Sequence, residues 1–113
     1  MRIRIPPKRI RERFLITYEL EGCQKTVNFL TRYYGVRRMR IVLDVRRVPG
    51  KCYGLYFKNR AYFTREGLKR RIVLHELYHH IVDVKGHELP NGMEEKNANR
   101  YASEFLKCRH SAH

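Results

Sequence analysis

The chain is 113 residues long and carries 25 Lys and Arg against 11 Asp and Glu, a formal net charge of +14. That length allows one hydrophobic core and no second domain. No apolar run reaches the roughly 20 residues of a membrane-spanning helix, and the basic N-terminus is not followed by the apolar centre of a signal peptide, so a cytoplasmic protein without membrane contact is expected.

Residues 1–13 read as a basic arm, because Pro6-Pro7 opposes regular structure and the charge opposes burial. A domain at 14–107 and a tail at 108–113 follow. Leu20, Cys23, Val27, Leu30 and Tyr34 recur every three or four residues and predict a helix over 18–34, stopped by Gly35. Met39 to Val48 alternates and is β-branched, which predicts a strand ending before Pro49-Gly50. Tyr53 to Phe57 is a second strand, and Asn59-Arg60 turns it into a third, Ala61 to Thr64. Short strands joined by turns imply an antiparallel meander. Thr64-x-x-Gly67 then breaks the pattern before a helix at 67–84, and the loop Lys85 to Gly92 leads to a last helix at 93–107. The expected class is α+β: a small single domain with one backing helix, a three-stranded antiparallel sheet and two further helices. Cys23, Cys52 and Cys108 have no C-x-x-C spacing, their odd number argues against a disulfide framework, and Cys23 reads as a buried thiol on an apolar helical stripe.

The helix at 67–84 holds His75-Glu76-Leu77-Tyr78-His79, an H-E-x-x-H pattern. Residues four apart on a helix share a face, so both imidazoles point at one metal ion, and Glu76 reaches a water bound there. Leu68, Ile72, His75, His79 and Val82 form one helical stripe, and Val73, Leu77, Ile81 and Val84 a second. A helix apolar on most sides belongs in a core, where polar side chains require partners. Two core histidines without a metal are the structural alternative.

Catalytic zinc sites commonly take three protein ligands. Position 85, ten residues after the first His, is Lys85, and the candidates beyond the motif are Asp83, His87, Glu88, Glu94 and Glu95. Glu95 leads, because it opens the stripe Glu95, Ala98, Asn99, Ala102, Phe105, Leu106 and is thereby expected on the buried face of the last helix. Ala98 and Ala102 permit close approach to the first helix. Asn99, one turn after Glu95, is placed to accept the free ring N–H of His75 or His79. Glu94 and His87 stay open as third ligand, with Glu94 also suited to the helix N-terminus. One Zn2+ per chain is expected.

His75-Glu76-x-x-His79 followed by Glu95-x-x-Ala98-Asn99-x-Tyr101-Ala102 resembles the gluzincin metallopeptidases, in particular the ImmA/IrrE-like branch and the very small minigluzincins. The resemblance spans about residues 17–107, and its specific part is the two helices. It implies zinc held by His75, His79 and Glu95, with Glu76 as general base and acid toward the zinc-bound water during peptide-bond hydrolysis. SprT-like proteases use a histidine as third ligand, so Glu95 argues against them. In the families it resembles, the strand at Tyr53–Phe57 forms the upper rim of the cleft, which implies that the backbone of Gly54, Leu55 and Tyr56 holds a peptide or protein substrate by strand addition. The oxyanion-stabilising residue stays open among Tyr53, Tyr78, Tyr101 and His87. The minigluzincin resemblance also implies a latent enzyme whose cleft is blocked by a terminal segment. Cys108, His110 and His113 of the tail are potential ligands for that role, in cis or in a swapped homodimer, and the basic arm is the competing inhibitor.

The positive charge concentrates at residues 2–13, 37–47 and 69–71 without any helix-turn-helix, zinc-finger or RNA-binding signature. It is compatible with a solvated surface or with nonspecific nucleic-acid contact. The alternative function is therefore a catalytically silent, zinc-containing module that binds nucleic acid or a regulator.

Overall fold

The computed structural model describes residues 3–86 and 91–107, with a Cα radius of gyration of 13.3 Å. Its order is α1 (Lys8–Glu21), α2 (Cys23–Tyr34), β1 (Arg40–Leu43), β2 (Gly54–Phe57), β3 (Arg60–Phe63), α3 (Arg70–Lys85) and α4 (Asn91–Leu106). The class is α+β, as expected. None of the described helices is long and apolar enough to cross a membrane. The expected tail residues Cys108, His110 and His113, and the candidates His87 and Glu88, lie outside the described residues.

The first third of the chain departs from expectation. The arm does not run to residue 13, because α1 begins at Lys8, directly after Pro7, whose carbonyl accepts from Ile10 and Arg11 N–H at 3.0 and 3.1 Å. A proline just before a helix costs nothing, since the first N–H groups lack intrahelical partners anyway. Ile3 is buried, Ile5 packs on the core, and Tyr34 Oη donates to the Arg4 carbonyl at 2.8 Å. The single backing helix is instead two, broken at Gly22, whose φ of 89° and ψ of 176° no helix accommodates. Gly35 stops α2 as expected: it takes the left-handed conformation, and Val36 N–H reaches back to the Thr31 carbonyl at 2.9 Å. Arg70 and Glu19 form an ion pair that ties α3 to α1, beside a 2.8 Å bond from Tyr18 Oη to the Leu68 carbonyl.

The sheet is mixed, not an antiparallel meander. Its order is β1-β3-β2, with β3 parallel to β1 and antiparallel to β2. The predicted strand at Met39–Val48 ends at Leu43 because Asp44 intervenes. Its carboxylate accepts from Arg46 N–H at 3.1 Å and turns the chain into a 3-10 segment at Val45–Arg47. The chain then travels to the far edge before returning as a hairpin. That hairpin turns at Lys58-Asn59, one residue earlier than expected, with φ of 45° and 66° at the two positions. The free edge of β1 is capped by one side chain: Gln24 accepts from Ile41 N–H at 2.8 Å and donates to the Met39 carbonyl at 3.0 Å.

The core lies between the inner face of the sheet and the helices. Phe14, Leu30, Phe63, Leu74, Leu77, Ile81 and Phe105 are fully buried there. Ala98 and Ala102 are also fully buried and bring α4 against α3. Cys23 is half-buried, not fully buried, and its thiol is pushed up to about 12 by desolvation. Gly67 is obligatory: a Cβ there would stand 1.9 Å from the Tyr53 carbonyl oxygen. This close approach sets the entry of α3 beside β2.

Candidate metal centre

The α3–α4 seam brings the motif residues and the last helix together. His75 Nε2 lies 3.1 Å from one Glu95 oxygen, His79 Nε2 lies 2.9 Å from the other, and the two Nε2 atoms are 3.2 Å apart. A tetrahedral zinc with bonds of about 2.0–2.1 Å sets its ligand atoms roughly 3.3 Å from each other. The three donor groups offer one ligand atom each, all within 4.8 Å of one another, a spacing compatible with one metal ion. Among the described residues they are the group of His, Cys, Asp and Glu side chains able to hold a metal ion.

The other ring nitrogens fix the protonation pattern. His75 Nδ1 donates to Asn99 Oδ1 at 2.9 Å, and His79 Nδ1 donates to Glu94 Oε2 at 2.5 Å. With both protons on Nδ1, each Nε2 presents a lone pair. Burial and the neighbouring His79 push the His75 pKa down, which keeps the ring neutral. Two imine nitrogens and a carboxylate thus converge with no donor among them. Such an arrangement is repulsive unless a cation sits at its centre, so the residues fit a divalent metal with nitrogen and oxygen preference.

Several expectations need revision here. Glu95 meets both histidines, but its side chain is 60% exposed rather than on the buried face of α4. It projects from the margin of the Ala98–Ala102 stripe into the cleft. Glu94 orients His79 rather than serving only the helix terminus. Asp83 is occupied elsewhere: Tyr56 Oη donates to its Oδ2 at 2.7 Å.

Glu76 is 6% exposed and lines the same cleft. Desolvation, with a smaller contribution from Glu95, raises its pKa to about 7 against the opposing effects of His79 and the Tyr56 N–H. A bound cation would pull it down again. Gly54 is packed above it: a Cβ there would stand 3.3 Å from Glu76 Cγ and 3.1 Å from the Phe63 ring.

The cleft, about 1020 Å³, runs along β2, with Arg71 and Ile72 among its walls on α3, the three histidine–glutamate groups in its floor, and Lys58 and Asp83 also lining it. Backbone direction along β2 follows from its pairing. Tyr53 C=O accepts from Thr64 N–H at 3.1 Å, so Tyr53, Leu55 and Phe57 face β3, and Gly54 and Tyr56 face the open edge. Leu55 borders the cleft, but its amide faces β3, contrary to its expected rim role. The Tyr56 N–H already serves Glu76. Tyr78 and Tyr101, two of the oxyanion candidates, are buried and do not line the cleft; Tyr101 Oη pairs with Tyr34 Oη at 2.8 Å. Tyr53 lines it and is exposed. Residues 3–13 do not line it either.

One cluster escaped sequence reasoning. His80 is fully buried behind the motif, with Nε2 donating to the Arg37 carbonyl at 2.6 Å and Nδ1 3.0 Å from Tyr56 Oη. Tyr56 Oη also accepts from Asn59 N–H at 2.9 Å. The hairpin is thus pinned to α3. The available signal was position 80 itself, three residues after Leu77 on the inward helical face. Comparison with protein-family models, curated proteins and solved structures finds no match.

Proposed function

We propose that the chain is a zinc-dependent peptidase of the gluzincin kind, similar to the ImmA/IrrE-like and minigluzincin groups. The observation that carries this reading is the donor-free triangle of His75 Nε2, His79 Nε2 and the Glu95 carboxylate beside a buried, protonatable Glu76. When bound, the metal would supply Lewis acidity, lowering the pKa of a coordinated water and polarising a carbonyl. Glu76 then acts as the proton carrier. Its carboxylate takes a proton from water in the cleft and returns it to the leaving amine. Asn99 and Glu94 hold the two imidazoles in the tautomer that leaves Nε2 free. Gly54 offers a backbone edge to an extended peptide, with no side chain in the way.

The test is metal content by plasma mass spectrometry together with peptide hydrolysis. Wild type is expected to hold near one zinc per chain, and Glu95→Ala and His79→Ala to lose it. Glu76→Gln should keep the zinc and lose hydrolysis. A zinc-free wild type after refolding with metal sinks the reading. A zinc-loaded, folded wild type that cleaves no peptide selects instead the catalytically silent zinc-containing binding module, which the net charge of +14 favours.

A further inference from the structure

The outer face of the sheet, turned away from the helices, has a chemistry that the metal centre does not use. Ala61, Phe63, Ile41 and Tyr56 point into the core. Strand alternation then sends Arg40, Arg60, Tyr62, Leu55 and Phe57 to the opposite face. Arg40 and Arg60 are register partners across the parallel pair. Phe57 flanks Arg60 across the hairpin and is 57% exposed. Lys58 Nζ sits 5.2 Å from the Phe57 ring centroid, and the Arg47 guanidinium lies 5.7 Å over Tyr62. Tyr62 and Val48 are buried but stand outside the main core, so the segment after β1 covers one end of this face and leaves the Phe57 end open.

Charge is also segregated along the chain. Residues 22–65 contain eleven Lys and Arg, eight of them Arg, and a single acid, Asp44. Asp44 is itself paired with Arg46 at 3.2 Å. A face with no acid on any of its three strands, an exposed ring and guanidinium groups around it matches one kind of polyanion. Unpaired bases stack on aromatic rings, and Arg reads phosphate through its planar fork. Duplex DNA hides its bases, and an acidic peptide presents no regular array of rings for an exposed Phe to stack on.

We propose that the outer sheet face, centred on Phe57 and flanked by Arg40, Arg60 and Arg47, binds single-stranded nucleic acid. Phe57 and Lys58 also border the metal-site cleft, so the surface adjoins it, but it needs no metal and stands whether or not the chain hydrolyses peptides.

Fluorescence anisotropy of labelled 12-nucleotide oligo(dT), oligo(U) and a duplex of equal length, titrated with the full chain at two salt concentrations, tests it. One or both single strands should bind more tightly than the duplex, and their relative affinity distinguishes a DNA from an RNA partner. Phe57→Ala should weaken single-strand binding roughly 5- to 150-fold, the range for losing one stacked base. Phe57→Tyr, which keeps the ring, should restore it. Arg40→Gln with Arg60→Gln should lower the salt slope by about 0.7 for each phosphate no longer neutralised. Lys8→Gln with Arg9→Gln, on α1, should change binding little. Unchanged melting temperatures show that the variants fold. The proposal is overturned if the duplex binds as well and Phe57→Ala has no effect, because bare charge then suffices. It is equally overturned if the α1 pair weakens binding as much as the sheet pair, or if the chain binds phosphatidylserine vesicles and no oligonucleotide.

Discussion

The α3–α4 seam and the outer face of the sheet are built from opposite chemistry. The seam gathers lone pairs: two imine nitrogens, the Glu95 carboxylate, and Glu76 and Glu94 around them, in a partly buried cleft. The outer face gathers cations around an exposed ring, with no acid on its strands. In the seam every first partner is within 3.2 Å and most polar atoms are positioned by a second one. On the outer face the cations extend into solvent. A concave, preorganised array of acceptors suits a small, hard-to-move cation. An array of exposed cations suits a long, flexible anion, for which local precision matters less than summed charge.

Substitutions can break this contrast in graded steps. The largest effect is expected for Glu76→Gln, with hydrolysis reduced by about 10²–10⁴-fold and zinc content unchanged. Loss of zinc in that variant would instead make Glu76 a ligand. Next come the residues behind the ligands. Asn99→Ala and Glu94→Ala should each weaken zinc affinity about 10- to 100-fold, read by chelator competition, because each frees an imidazole to rotate or change tautomer. Equal affinity in both would leave the triangle to be set by the helices alone. Tyr56→Phe removes the hydroxyl shared by Asp83, His80 and the Asn59 N–H, and should destabilise the fold by about 1–3 kcal/mol in urea unfolding. A variant as stable as wild type would show the hairpin to be held by packing.

The smallest effect concerns pH. Burial lowers the His80 pKa in the folded chain below its ordinary 6.5. Below that value the unfolded chain binds a proton that the folded chain refuses, so stability present above about pH 6.5 falls as the pH drops toward the folded-state value. In metal-free protein the urea midpoint should therefore be lower at pH 5.5 than at pH 7.5, and His80→Asn should flatten that difference. An identical pH response in the variant would assign it to His75, whose pKa is lowered in the same direction.

The same contrast explains how far the sequence could be read. His75, His79, Glu95 and Asn99 come together through helical spacing and two small alanines, and both features are local, so their meeting was legible. The helices at 67–84 and 93–107 were placed to within a few residues for the same reason. The sheet was not legible. Nothing in Arg40–Leu43 announces that its partner is Arg60–Phe63 rather than its neighbour in sequence, and parallel pairing across an intervening hairpin leaves no periodic trace. The outer face depends on that register, so its composition emerged only with the fold. Glu95 shows the limit of stripe reasoning: it begins an apolar stripe yet stands at its exposed margin. The Gly22 break escaped because the three- and four-residue spacing of Leu20, Cys23 and Val27 runs straight across it.

Gln24 gives the sheet an asymmetry with a consequence for self-association. Its amide occupies the Ile41 N–H and Met39 carbonyl on the outer edge of β1, as a neighbouring strand would. The edge of β2 has no such cover at Gly54. A sheet with two available edges can be extended by further copies without end, the geometry of fibres. With one edge stoppered by a side chain, edge-to-edge pairing through β2 closes at two molecules, and a chain that keeps a strand-accepting lip for a ligand avoids polymerising through it.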